Sequence, residues 1–289
     1  MVPTKERNVS GMFLQYKTEG ILFDCGEGTQ RQMNITGIKR TSVTKILISH
    51  WHADHVAGLM GLLQTMGNSE KEQKVDIWGP KETKERLQHI LDASIGGINI
   101  QLNIHEVEPK EVETIFENDE FYIECAPLEH GVPCVGYSFI VKERLRINTE
   151  YLRANGIADG PHLKKLISGE SIKYKNKTIL VKDATFIVEQ KKFTYIADTQ
   201  ACSSAIELAR DADLIVSEAT YDSSKEEKAE EYKHMTAQQA GLIANQAGAK
   251  KLVLTHFSQR YKNSQEIEDD VRIVFDNAFC GEDFMKLKI

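Results

Sequence analysis

Ile48-Ser49-His50-Trp51-His52-Ala53-Asp54-His55 reads H-x-H-x-D-H, with three imidazoles and a carboxylate inside six residues. Neutral imidazole nitrogen and carboxylate oxygen are the ligands that zinc and similar divalent cations prefer. The run follows Val43-Thr44-Lys45-Ile46-Leu47-Ile48, whose β-branched, apolar character predicts a buried strand. It precedes Gly58-Leu59-Met60-Gly61-Leu62-Leu63, which predicts the opening of a packed helix. A loop at the carboxyl end of a strand is where α/β sheets place their chemistry. Four ligands so close together can divide into two sets serving two adjacent ions. One surface histidine would imply nothing. Four ligand types in this order, directly after a strand, predict a metal-dependent hydrolase.

Outward from that loop the chain alternates strand-like and helix-like signals. Met12 to Tyr16 and Ile21 to Asp24 predict a hairpin, and Gly26 to Asn34 a turn into a short helix. Val75 to Trp78 predicts a strand. Gly79-Pro80 then predicts a helix start running to about Leu91, because proline suits a first helical turn. Ile100 to Val107 and Glu120 to Ala126 read as extended. Later come a strand at Phe193 to Ala197, a helix from Ser203, a strand at Leu214 to Ser217, a helix from Met235 to Ala247 and a strand at Leu252 to Thr255. Ser264 to Phe279 predicts a last helix, and the acidic run Asp222 to Glu231 a solvated loop. This rhythm in two halves predicts an α/β sandwich, sheets inward and helices outside.

The chain has 289 residues, 41% of them apolar and 27% charged, as in an ordinary globular protein. No apolar run approaches the roughly 20 residues that span a membrane, and no signal segment opens the sequence. Five scattered cysteines without a C-x-x-C pair argue against a disulfide framework or a cysteine metal site. A cytoplasmic protein is expected. The net charge of −7 is unevenly spread. Lys142 to Lys182 carries ten basic and four acidic residues, a balance of +6, leaving −13 for the rest. That asymmetry suits either a polyanion-binding arm or a solvated insertion. Gly156, Gly160-Pro161 and Gly169 break the segment, which has little apolar periodicity. It is expected to project from a single domain, without a core of its own.

Two ions need further ligands. His130, Asp198 and His256 each follow an extended segment, and Asp198 could bridge through its two oxygens. His50, His52, Asp54, His55, His130, Asp198 and His256, in this order, form a pattern that resembles the metallo-β-lactamase superfamily. Within it the chain is similar to the ribonuclease Z family. Pro3-Thr4-Lys5-Glu6-Arg7-Asn8, Leu22-Phe23-Asp24-Cys25-Gly26-Glu27-Gly28-Thr29-Gln30, Ser217-Glu218-Ala219-Thr220, His234-Met235-Thr236 and Thr255-His256-Phe257-Ser258-Gln259-Arg260-Tyr261 carry the likeness. The metal motif alone indicates the superfamily; the Asp-Cys-Gly-Glu-Gly-Thr-Gln and His-Phe-Ser-x-Arg-Tyr runs are more specific.

The resemblance implies a four-layer αββα sandwich, residues 1–289 forming one domain with an inserted flexible arm at 142–182. It implies two Zn2+ per chain, Mn2+ or Fe2+ being alternatives. His50, His52 and His130 would hold one ion, Asp54, His55 and His256 the other, with Asp198 bridging and Asp24 supporting from behind. The implied reaction is endonucleolytic removal of the 3′ trailer from precursor tRNA, leaving a 3′ hydroxyl on the tRNA and a 5′ phosphate on the trailer. Asp54 would orient the attacking water. His234 would serve as general acid, its ring held and its pKa raised by Glu218; from the residues alone it reads as a histidine at a helix start. Arg7 and Arg260 are candidate phosphate or base contacts. The arm, with Gly160, Pro161, Lys164 and Lys165, would grip the tRNA away from the cut. A homodimer and no membrane partner are implied. Family members also carry a short strand and Gly-rich turn ahead of the Val2-Pro3 segment, so that strand is expected to be missing here and a sheet edge exposed. The alternatives are a same-fold phosphodiesterase of small substrates and an RNA-binding remnant that does not cut.

Overall fold

The computed structural model of the chain describes residues 1–68, 73–93 and 99–289. Two compact units are present: Met1–Phe116, Ile123–Phe139 and Lys192–Ile289 make the first, Glu117–Tyr122 and Ile140–Lys191 the second.

In the first unit, β1 (Met12–Tyr16), β2 (Glu19–Phe23), β3 (Lys45–Leu47), β4 (Gln73–Pro80) and β5 (Ile100–Val107) form a sheet in sequence order. The β1–β2 hairpin is antiparallel and the remaining pairs are parallel. Such strands must be covered on both faces, and alternation along them supplies two apolar sides. Leu22, Ile46, Val75 and Ile77 share one core cluster with Leu59, Leu62, Leu63 and Met66 of the helix Leu59–Gly67 and with Leu87 of the helix Thr83–Asp92. Phe23 points the other way. Its ring centroid lies 5.3 Å from Phe193 and 5.6 Å from Tyr195, both on the second sheet.

That second sheet begins with β6 (Glu113–Glu117), β7 (Phe121–Leu128) and β8 (Cys134–Val141). The chain then forms β9 (Arg144–Ile147), β10 (Ile172–Tyr174), β11 (Lys177–Ile179) and β12 (Thr185–Val188) of the second unit. It returns as β13 (Lys191–Ile196), β14 (Leu214–Glu218), β15 (Leu252–Thr255) and β16 (Ala278–Cys280), giving the sheet order β16-β15-β14-β13-β8-β7-β6. The helix Ala237–Gln246 packs on β14 and β15, its start fixed by a capping box between Thr236 and Gln239. The expected sandwich of two sheets with helices outside is thus present.

Four details differ from expectation. Gly79 and Pro80 continue β4, pairing with Glu106 and Val107, and the helix starts later, at Thr83. The acidic run is partly helical, Glu226–Tyr232, with Glu226 and Glu227 in the first turn, where the helix dipole favours negative charge. The last helix ends at Arg272, and Ala278–Cys280 joins the sheet beside β15. The basic insertion has a small core: Leu152, Ile157, Leu163, Leu166, Ile172, Ile179 and Ala184 cluster together. Their irregular spacing hid it, because the pieces that carry them are short. β9 and β12 form one two-stranded ladder of this unit, and β10 and β11 another.

Among the described residues no helix is long and apolar enough to cross a membrane. All five cysteines are free and buried.

Candidate metal centre

The loop after β3 is built by close backbone approach. Cys25 N–H donates to the His55 carbonyl at 2.7 Å and Gly58 N–H to the Cys25 carbonyl at 2.8 Å. A Cβ on Gly26 would come within 2.2 Å of the Asp54 carbonyl oxygen, and one on Gly58 within 2.2 Å of the Gly26 carbonyl oxygen. Only glycine lets the Asp24-Cys25-Gly26 turn press against the metal loop. Asp24 and His256, at the ends of β2 and β15, take the left-handed backbone conformation (φ 55° and 59°). Asp and His tolerate that region better than most residues.

The seven expected ligands converge. One group consists of His50, His52, His130 and Asp198, another of Asp54, His55 and His256; within each, one ligand atom per residue lies within 4.8 Å of the others. His50 Nε2 is 3.0 Å from His52 Nδ1, and His130 Nε2 is 3.3 Å from the same atom. His256 Nε2 lies 3.3 Å from Asp54 Oδ2. Asp198 faces both groups: Oδ2 is 3.7 Å from His50 Nε2, while Oδ1 is 3.5 Å from His55 Nε2 and 3.4 Å from His256 Nε2. A third combination, Asp198, His234 and His256, is also compact.

These donors fit divalent cations. Asp198 Oδ1 is buried with no hydrogen-bond partner among the described residues, and several imidazole nitrogens aim at a common point, which is unfavourable unless something positive lies there. Burial first, then His55, drives the His50 pKa down to about 2, so the ring is a neutral ligand. His52 and His130 are lowered mainly by burial. Burial opposes charge on His55, but Asp198 and Asp24 outweigh it and raise its pKa. Burial would likewise raise Asp54 and Asp198, yet facing histidines hold both carboxylates below the ordinary range. The Met1 amine also lies against Asp54.

Four of the five candidate histidine ligands, all but His52, are oriented from behind, as metal-ligating histidines are. His55 Nδ1 donates to Asp24 Oδ2 at 2.8 Å, His130 Nδ1 to the Lys233 carbonyl at 3.0 Å, and His256 Nδ1 pairs with Thr220 Oγ1 at 3.0 Å. His50 Nδ1 pairs with Ser49 Oγ at 3.0 Å, and that hydroxyl donates to Asp24 Oδ2 at 2.8 Å. Asp24 is fully buried behind the loop, where it accepts from His55 and Ser49.

His234 stands beside the ligands, its ring centroid 5.4 Å from His256 and 5.3 Å from His130. Its Nδ1 donates to Glu218 Oε1 at 2.9 Å. Burial lowers the His234 pKa, but Glu218 more than compensates and the net shift is upward. Glu218 is itself only 1% exposed. Thr199 N–H donates to Oε1 at 2.7 Å, and Oε2 accepts from Thr220 N–H at 3.2 Å and the Thr220 hydroxyl at 2.6 Å.

The expected RNA contacts are placed less uniformly. Arg7 Nη2 donates to the Tyr261 and Ser258 carbonyls at 2.6 and 3.4 Å, so this guanidinium braces the 257–261 loop. Arg260 is exposed, with its guanidinium 5.4 Å from the Tyr221 ring. In the second unit Lys164 and Lys165 are exposed on the short helix Leu163–Ile167. Gly160 has a packing reason: a Cβ there would come within 2.9 Å of the His162 ring. Thr199, Thr220, Ser49 and Tyr195 are supports to which the sequence reading gave no role. The signal for Tyr195 was a phenol in an apolar strand, since a buried tyrosine hydroxyl needs a partner.

Imidazoles and carboxylates gathered at the strand ends of an αββα sandwich define a hydrolase of the β-lactamase superfamily. Residues 172–257 match a family model described as "Beta-lactamase superfamily domain", and residues 3–157 one described as "Anti-Pycsar protein Apyc1". A ribonuclease Z of Methanothermobacter thermautotrophicus is 36% identical over 289 residues, covering all of this chain and 93% of its own. A ribonuclease Z of Bacillus cereus is 37% identical over 297 residues, covering 100% and 96%. Among solved structures, the human short-form tRNase Z superposes with a TM-score of 0.70 at 27% identity, over 98% of this chain and 93% of that one. The chain belongs to the ribonuclease Z family, and is a hydrolytic nuclease acting on phosphodiester bonds.

Proposed function

We propose that this chain cuts precursor tRNA at the base of its 3′ trailer, leaving a 3′ hydroxyl on the tRNA and a 5′ phosphate on the trailer. The observation that carries this is the His234–Glu218 pair set beside two ligand groups that Asp198 faces, in a chain that aligns end to end with ribonucleases Z. His50, His52, His130 and Asp198 would hold one Zn2+, and Asp54, His55, His256 and Asp198 a second. When bound, such a pair supplies Lewis acidity toward phosphate oxygens and lowers the pKa of water.

The chain's own groups do the rest. Asp54 orients the attacking water, and its depressed pKa keeps it an acceptor. His234, protonated through its pairing with Glu218, gives its proton to the departing 3′ oxygen. Arg260 is exposed, its Nε donating to Ser258 Oγ at 3.3 Å, and presents its guanidinium to a phosphate near the cut. The basic residues of 142–182, Lys164 and Lys165 among them, hold the folded tRNA away from the reacting bond, which makes binding salt-sensitive. The protein would act in the cytoplasm as a homodimer.

The test is cleavage of a precursor tRNA with a 3′ trailer, metals supplied, product ends mapped, beside a His55→Ala control. A cut after the discriminator nucleotide with a 3′ hydroxyl, absent in the control, is the expected result. Turnover of bis(p-nitrophenyl) phosphate with the tRNA left intact would overturn it in favour of a small-substrate phosphodiesterase.

A further inference from the structure

We infer that Tyr195 is a positioning residue for the metal centre, acting through Asp24 on His55. Tyr195 lies on β13 in the second sheet and is 5% exposed. Its hydroxyl crosses to the first sheet and donates to Asp24 Oδ2 at 2.8 Å. The same oxygen accepts from His55 Nδ1 and Ser49 Oγ at 2.8 Å each, while Oδ1 accepts from Ser49 N–H at 2.8 Å. Three donors on one buried oxygen fix the carboxylate's rotation, and that rotation aims His55 Nε2.

Position in the chain adds a second argument. Three residues beyond Tyr195 the same segment delivers Asp198, whose Oδ1 must meet His55 Nε2, 3.5 Å away. His55 comes from the first sheet and Asp198 from the second. The Tyr195–Asp24 bond ties the two sheets at the place where these ligands converge. Asp24 also reaches His50 through Ser49, but His55 is bonded to it directly. Loss of the hydroxyl therefore bears most on the group Asp54, His55 and His256.

Tyr137 provides a matched control. It too is buried on the second sheet, and its hydroxyl donates across to the first, but to the Ile48 carbonyl at 2.8 Å. Tyr195→Phe and Tyr137→Phe each delete one buried inter-sheet hydroxyl and keep the ring. Only the first changes what Asp24 accepts.

The inference rests on reading the two ligand groups as a two-ion centre. Its test is competition of metal-stripped protein with a chromophoric chelator for Zn2+, with thermal unfolding of each metal-free variant alongside. Wild type is expected to take up two ions. Tyr195→Phe should weaken one of them about tenfold, the low end for groups behind a ligand, while Tyr137→Phe shifts neither by more than about twofold. In an Asp24→Ala background the Tyr195 substitution should have no further effect. Unchanged affinity in Tyr195→Phe, or an equal loss in Tyr137→Phe, overturns the proposal alone. Failure of wild type to bind two ions overturns it together with the reading beneath it.

Discussion

Replacing His234 by alanine separates proton donation from metal binding. The imidazole is held by a 2.9 Å bond to Glu218, a carboxylate buried at 1% exposure that also accepts from Thr199 and Thr220. Glu218 cannot swing away, so His234 keeps its proton at a pH where a free imidazole would begin to lose it. A positioned general acid contributes about 10²- to 10⁴-fold, or roughly 3–5 kcal/mol of barrier at 1.36 kcal/mol per tenfold. That loss is expected in kcat on precursor tRNA, whose leaving 3′ oxygen is strongly basic. p-Nitrophenolate departs without a proton, so on bis(p-nitrophenyl) phosphate the same variant should lose less than about tenfold. Single-turnover assays on both substrates, with bound metal counted, measure the contrast. Equal losses on the two would refute the assignment. So would a lost metal ion, because His234 also forms a compact group with Asp198 and His256 and would then be a ligand.

Glu218→Gln cannot satisfy its surroundings, since each carboxylate oxygen accepts at least one donor and either amide orientation sets an N–H₂ against one. It should cost about 1–3 kcal/mol, read by denaturant unfolding. On the proposed general-acid role of His234, activity should fall as pH rises through its raised pKa. Without Glu218 that fall should move to lower pH, and an unmoved alkaline limb would count against the pairing. Glu19 accepts from Lys45 Nζ at 2.7 Å and Thr44 Oγ1 at 2.6 Å. Burial raises its pKa, but Lys45 and Thr44 prevail and the net shift is downward. Its contribution is therefore present above the unfolded value of 4.5 and disappears as pH falls through the lower folded value. Glu19→Gln should flatten the acid side of the stability profile, and an unchanged slope below pH 4.5 would refute this. Gly26→Ala drives a Cβ toward the Asp54 carbonyl oxygen at 2.2 Å. Rigid backbone lies on both sides, so it should lose metal binding or fail to fold, whereas a native melting curve with full metal content would show the turn can yield. Lys164→Ala with Lys165→Ala should weaken tRNA binding at every salt concentration and flatten its salt dependence by roughly one for each phosphate no longer held. Turnover of bis(p-nitrophenyl) phosphate should not change.

What the sequence made legible was whatever is local along the chain. H-x-H-x-D-H announces its chemistry because four ligands share one turn, and His130, Asp198 and His256 each follow a strand recognisable by its own residues. The supports were hidden for the opposite reason. Tyr195 is separated from Asp24 by 171 positions and Thr199 from Glu218 by 19, and nothing local marks such a pair. Elsewhere a local rule met a tertiary demand and lost. Pro80 suits a helix start, yet at the strand end its pairing with Val107 extends β4. The 264–279 stretch reads as one helix, but Asn277 Nδ2 donates to the Lys250 carbonyl at 2.5 Å and turns the chain so that Ala278–Cys280 lines up with β15. Arg7 was a candidate phosphate or base contact because guanidinium suits both; that its Nη2 also donates to two backbone carbonyls of a distant loop is a pairing nothing local in the sequence marks.

The division of ligands between sheets has a consequence for stability. His50, His52, Asp54 and His55 come from the end of β3, while His130, Asp198 and His256 come from the ends of β7, β13 and β15. From these seven, neither sheet supplies a complete ligand group by itself. Affinity at the centre therefore depends on the inter-sheet layer, where Phe23 meets Phe193 and Tyr195, and Tyr137 and Tyr195 bond across. Bound ions in turn stabilise the folded chain by mass action, since the unfolded chain offers no such convergence. Core substitutions far from any ligand, such as Phe193→Leu, should then show a larger stability loss with Zn2+ present than in chelator, because the metal's contribution falls together with the packing. If the two losses are equal, the sheets hold their ligands independently of the layer between them.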